Sequence, residues 1–170
     1  MKRWLSCICL LAAAALSGCA GYHLNGNKPT HMEHISKLYV PTFDNLTLEP
    51  RLGVLVTNAV IKQIQASGAY EISDEEHADA TLKAKISTID RTQWRSVETN
   101  TLDTRELLMR LKIDYRVVEK KTGVALRVSK VQATSYVVLD PNWQTSERQV
   151  LSETAERMSV TLAGELANGW

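Results

Sequence analysis

Few residues of this 170-residue chain could do chemistry, and their spacing limits what that chemistry would be. Three cysteines offer thiols: Cys7 and Cys9 inside an apolar run from Trp4 to Leu16, and Cys19 after the small residues Ser17-Gly18. His31 and His34, in "HMEH", could share a metal ion, but no third ligand stands nearby and no metal site is expected. Asp74, Glu75, Glu76 and Asp79 cluster in a stretch that a solvated turn explains better than paired catalytic carboxylates do. Past the apolar run there is no G-x-S-x-G elbow, no G-x-x-x-x-G-K-S/T loop, no H-E-x-x-H and no dinucleotide-binding glycine pattern. Neither an enzyme nor a cofactor is expected.

The first nineteen residues carry an address. Met1-Lys2-Arg3 is a basic head, Trp4–Leu16 an apolar stretch, and Ser17-Gly18 a small-residue cut site, the layout of a secretory signal. The apolar stretch is short for a membrane crossing, which takes about 20 residues. Leu16-Ser17-Gly18-Cys19 resembles the lipobox of bacterial lipoproteins, whose cysteine is acylated and becomes the first mature residue. On that reading Cys7 and Cys9 leave with residues 1–18, and Cys19, carrying covalent lipid such as palmitate, has no partner for an internal disulfide. Stable anchoring takes more than one acyl chain, which a triacylated cysteine provides. Ala20 and Gly21 follow in place of the aspartate that resembles an inner-membrane retention signal, so the outer membrane, periplasmic side, is the expected location.

Loss of residues 1–18 would leave 152 residues, a length suited to one domain with a sizeable core. It would also remove Lys2 and Arg3, turning 20 basic against 19 acidic residues into 18 against 19. That balance lacks the basic excess of a general nucleic-acid binder.

Along the rest of the chain, 19–34 is polar and aperiodic and reads as a lipidated tether, with 35–170 as a single domain. Ile35–Phe43 is rich in β-branched and aromatic residues and predicts a strand, with Pro41 near its end or edge. Pro50 suits a first helical position. Leu52, Leu55, Val56, Ala59, Val60 and Ile64 then mark one helical face, ended by Gly68. Leu82, Ala84 and Ile86 alternate within a strand over 80–89, and 90–104 reads as a long loop or frayed hairpin. Leu107, Met109, Leu111, Ile113, Tyr115 and Val117 alternate with a more polar set over 106–118, the clearest strand. "EKKTG" turns the chain into a strand over Val124–Leu139. A last helix is expected after "DPNWQT", with Ser146 and Gln149 in capping-box form. The order β-α-β-β-β-α, with two helices each bearing one apolar stripe, predicts an α+β two-layer sandwich on a mixed four-stranded sheet.

Gly-Tyr-His-Leu (Gly21–Leu24), one residue past the lipobox cysteine, looks like the mature start of the LptE family of lipopolysaccharide-assembly lipoproteins. "LYVPTFDNLTLEP" before a helix, "HADATLKAKI", "RELLMRLKIDYRVVEKKTG" and the closing "TSERQVLSETAERMSVTLAGELANGW" agree with that family in order. The resemblance covers nearly the whole chain after Cys19. It implies a non-enzymatic protein with an α/β sandwich, seated as a plug in the outer-membrane β-barrel LptD, supporting its assembly and binding lipopolysaccharide.

Barrel lumens are polar, and Arg110, Lys112 and Arg116, on the second face of the third strand, are candidates to face one. A solvated sheet face would look the same residue by residue. Lipid A phosphates call for cations. Arg91 and Arg95, beside Trp94 where the family carries basic residues, are first candidates, and Lys120 and Lys121 second. The family pattern has another basic position ahead of the last helix, where this chain reads Pro141-Asn142-Trp143-Gln144 and has no cation. The alternative is an outer-membrane lipoprotein that activates a peptidoglycan synthase or serves a secretion complex, since those groups share the strand–"F-x-N-x-T"–helix opening.

Overall fold

The structure, a computed structural model, describes residues 28–95, 105–139 and 143–168. Six strands and two long helices follow one another: β1 (Lys37–Tyr39), β2 (Asp44–Asn45), α1 (Leu52–Ser67), β3 (Glu71–Ile72), β4 (Ala80–Arg95), β5 (Arg105–Glu119), β6 (Ala125–Leu139) and α2 (Trp143–Asn168). They form one mixed sheet in the order β3-β1-β4-β5-β6, with β2 pairing β4 as well. The α+β two-layer class is as the sequence predicts. The sheet has six strands rather than four, because β2 and β3 are two residues long and too short to show a period.

β1 and β4 run parallel across the α1 crossover, while β4, β5 and β6 form an antiparallel meander. Pro41 has no N–H for a ladder, and the chain leaves β4 after Tyr39, arches through Pro41 and Thr42, and returns as β2. The arch is fixed from below. The Phe43 N–H donates to Thr57 Oγ1 at 2.9 Å, and that hydroxyl donates to the Gly53 carbonyl at 2.7 Å. Gly53 is required here, since a Cβ would lie 2.7 Å from the Phe43 carbonyl oxygen.

α1 starts one residue after Arg51, which holds a left-handed φ of 70°, so Pro50 stands in the turn outside the helix; Gly68 ends it at φ 66°. α2 starts at Trp143, three residues earlier than expected. Ser146 is therefore buried in the helix's first turns rather than capping it, and the capping-box expectation fails. α1 and α2 both cover one sheet face, burying Val56, Val60 and Ile64 with Met158, Leu162 and Leu166 against Leu82, Ile86, Leu111 and Ile113. Tyr70 Oη donates to the Leu166 carbonyl at 2.9 Å, satisfying a group in the last turn of α2 that the helix itself leaves open.

The stretch read as the end of the tether lies against the sandwich. Met32, in a short 3-10 turn, is fully buried, and Lys28 sits 4.5 Å over the Tyr70 ring while donating to the Ile35 carbonyl. β4 runs on to Arg95, through the first part of the expected loop. A bulge at Ser87 shifts its register against β5 and breaks the alternation that would have marked the strand.

Candidate functional site

The bulge at Ser87 decides where the cations of β4 point. Before it Lys83 and Lys85 are exposed while Leu82, Ala84 and Ile86 are buried; after it Ile89 packs on the core and Arg91 turns to the helix side. There Arg91 meets two carboxylates, Glu49 from the loop before α1 and Glu147 from α2, the latter at 2.9 Å through Nε. The position facing Arg91 from α2 is thus acidic. One residue further along α2, Arg148 lines the same cavity as Glu49, Gln144 and Glu147.

Arg95 ends β4, and its side chain lies outside the described residues, as does that of Trp94. Lys120 is committed to the acidic loop, donating to the carbonyls of Glu75 and Glu76 at 2.7 and 2.6 Å; Lys121 is exposed in the same turn. Arg91 stands opposite Met109, ten residues along β5 from the Lys120 turn, which at about 3.4 Å per residue separates them by roughly 35 Å. The two candidate pairs are not brought together.

The acidic loop is structural. The Asp79 carboxylate accepts the Ser36 and Lys37 N–H groups at 3.0 and 2.8 Å, which holds it below the usual carboxylate range, and Asp74 pairs with His77 at 2.7 Å. His34 pairs with Glu119 at 2.8 Å. Among the described residues no group of three or more potential ligands could hold a metal ion, and no helix is long and apolar enough to cross a membrane. Cys19, the cleavage site and residues 96–104 lie outside the described residues.

The two faces of β5 differ sharply. On the helix side Tyr115 donates to Glu165 Oε2 at 2.8 Å, and the same oxygen receives Ser129 at 3.1 Å and Arg127 at 3.3 Å. Burial, reinforced by the Glu165 carboxylate, pushes the Tyr115 phenol well above its ordinary range. Among the described residues no helix lies on the opposite face. It carries Arg110, Lys112, Asp114 and Arg116, flanked by Lys83 and Lys85 of β4 and Lys130 of β6. Where the Pro41–Thr42 arch rises beside Lys83 and Lys85, this face forms a cleft of about 520 Å³ reaching Arg116 and Lys130. The sequence reading named Arg116 but missed Lys83, Lys85 and Lys130; the alternation in "TLKAKIS" and "RVSKVQ" is the signal that could have found them.

The fold is shared with solved bacterial proteins. The chain is similar to PelC of Paraburkholderia phytofirmans, solved as a dodecamer (TM-score 0.53, 15% identity, covering 84% of this chain and 94% of that one). It is similar to the hypothetical protein CT253 of Chlamydia trachomatis (TM-score 0.54, 8% identity, 78% and 97% covered) and to the uncharacterized lipoprotein B of Nitrosomonas europaea (TM-score 0.50, 12% identity, 78% and 83% covered). At such identities these structures show the fold alone: a small α+β sandwich that a lipoprotein can adopt. No curated protein matches the chain. Residues 35–168 match the family model for LptE, described as lipopolysaccharide-assembly, and the chain belongs to that family.

Proposed function

We propose that this protein is a non-enzymatic outer-membrane lipoprotein, acylated on Cys19 after loss of residues 1–18, that plugs an LptD-like β-barrel from the periplasmic side. In that role it supports assembly of the barrel and binds lipopolysaccharide on its way to the outer leaflet. The observation that carries the reading is the family match over 35–168. The uncovered charged face supports it, because a polar lumen can solvate Arg110, Lys112 and Arg116 as water does. Residues 19–27 would be the tether, and the domain the part that enters the barrel.

For lipopolysaccharide, Arg91 and Arg95 remain the first candidates and Lys120 with Lys121 the second. Arg91 is already neutralised by Glu49 and Glu147, so a lipid A phosphate would have to displace a carboxylate to reach it. The decisive experiment is extraction of the native outer membrane in detergent, capture through a C-terminal tag, and identification of what is retained in stoichiometric amount. A heat-modifiable β-barrel at one to one is expected. A peptidoglycan synthase or secretion component in its place would overturn the plug role.

A further inference from the structure

The uncovered face holds a charge arrangement that folding alone does not favour. Lys83 of β4 and Arg116 of β5 stand directly opposite in register, and both are exposed on the same side. Like charges so placed on one sheet face are destabilising. Neither makes an ion pair or hydrogen bond among the described residues. One row along, Asp114 lies between Lys85 and Lys130 and pairs with Lys130 at 3.3 Å, so Lys85 has no ion pair among the described residues. Asp44 at the rim is the other carboxylate, giving four cations against two acids around one concavity.

The concavity is built rather than incidental. Its wall is the arch that Pro41 forces out of the ladder, pinned through Phe43 to Thr57 and seated against Gly53. Its floor is three hydrogen-bonded strands. Its volume, about 520 Å³, is within the range of small-ligand sites.

We propose that this cleft binds a phosphate-bearing ligand, with the Arg116 guanidinium in a two-point contact and the Lys83 and Lys85 ammonium groups completing the neutralisation. A phosphate between Lys83 and Arg116 converts their repulsion into two attractions, which accounts for cations that have no ion pair among the described residues. The site is distinct from Arg91, which faces the helix layer. It does not depend on a barrel partner, so its failure and that of the plug reading can be told apart.

The test is thermal unfolding of the full chain in non-ionic detergent, titrated with sodium pyrophosphate at constant ionic strength. The wild type should show a saturable rise in Tm. Lys83→Gln with Arg116→Gln should begin at an equal or higher Tm without ligand, the repulsive pair being gone. Its apparent affinity for pyrophosphate should fall by roughly tenfold or more, the loss of a charge-assisted contact. Arg110→Gln with Lys112→Gln, on the same face outside the cleft, should keep the wild-type affinity. Flotation of the full chain and of the Lys83/Arg116 variant with phosphatidic acid vesicles, each measured against phosphatidylcholine vesicles that report the Cys19 anchor alone, separates the sources: a phosphatidic acid excess that the variant loses, without a pyrophosphate response, assigns the site to a lipid headgroup, and a response to both shows that free phosphate suffices. No response to either probe overturns the proposal. So does an equal loss in the Arg110/Lys112 variant, which would mean a diffuse field, or equal protection by poly-glutamate, which would make the face an acidic-peptide surface.

Discussion

On the helix-covered face of β5, Leu111, Ile113, Tyr115 and Val117 are buried, and the hydroxyl among them is matched to Glu165 together with Arg127 and Ser129. One residue out of step, on the other face, Lys112 and Arg116 are exposed and Asp114 has a single cation for a partner. The same strand therefore supplies two surfaces with opposite requirements. Where solvent is excluded, a polar group left unmatched costs stability, and here most are matched, Arg127 Nε and Ser135 Oγ being buried without a hydrogen-bond partner among the described residues. Where solvent or a ligand can reach, charges are free to be placed for a purpose other than stability.

The contrast is most easily broken at Ile113, which lies in register between Ile86 and Val131, all three buried. Ile113→Asp would place a charge there with no partner, a loss above about 4 kcal/mol, among the largest single-residue effects. Circular dichroism should show no cooperative transition. A soluble, cooperatively unfolding variant would mean that the odd-numbered face is not the core.

Glu165 tests the other half of the covered face. Glu165→Ala removes the shared acceptor of Tyr115, Arg127 and Ser129, and breaking a largely buried charge-bearing network of this kind costs about 3 kcal/mol. Urea denaturation should show a lower midpoint with an unchanged slope. A shift no larger than that of an exposed glutamate such as Glu156 would show that the network contributes nothing to holding α2 on the sheet.

That division was legible in the sequence to the extent that it rests on periodicity. Leu111, Ile113, Tyr115 and Val117 alternate without interruption, so their common side can be read directly. β4 could be followed only to Ile89, because the bulge at Ser87 moves Ile89 and Arg91 to the side that even-numbered residues had held. Ser146 misled because a capping-box spacing also occurs inside a helix, here in one that opens at Trp143. Met32 sits in a polar, aperiodic stretch that gives no sign of its burial. Arg91 could be named as a cation, but its neutralisation comes from Glu49 and Glu147, which only the tertiary fold brings to it. Likewise Lys83 and Arg116 become a pair only once the register is known.

At the edge of the sheet, between the two regimes, Asp79 offers a smaller and pH-dependent effect. Backbone N–H groups of Lys37 and Ser36 stabilise its carboxylate and depress its folded-state pKa. The unfolded value is about 3.9, so the stabilisation is complete above that pH and is lost as pH falls through the lower folded value. Asp79→Asn should cost below about 1 kcal/mol at pH 7, given the site's exposure. It should also flatten the acid limb of a Tm-against-pH curve below about pH 4. An unchanged acid limb would remove Asp79 as a pin for the start of β1.

The smallest effect on stability is expected at the end of the uncovered face away from the cleft. Arg110 and Lys112 are on the uncovered face, opposite Asp90 and Thr88, and neither forms an ion pair among the described residues. Replacing both with glutamine should leave the chain within about 0.5 kcal/mol of wild type, as for surface substitutions that disturb no partner. The same double variant, captured from membranes, reports what the charges are for. If the face lies against a polar barrel wall, less barrel should be retained although the domain is equally stable, and the defect should deepen with salt, since exposed charge contacts are screened. If stability falls by more than about 1 kcal/mol, the charges are structural after all and the two faces differ in degree rather than in kind. If neither stability nor capture changes, this end of the face is simply solvated, and what the uncovered surface does is confined to the cleft around Lys83 and Arg116.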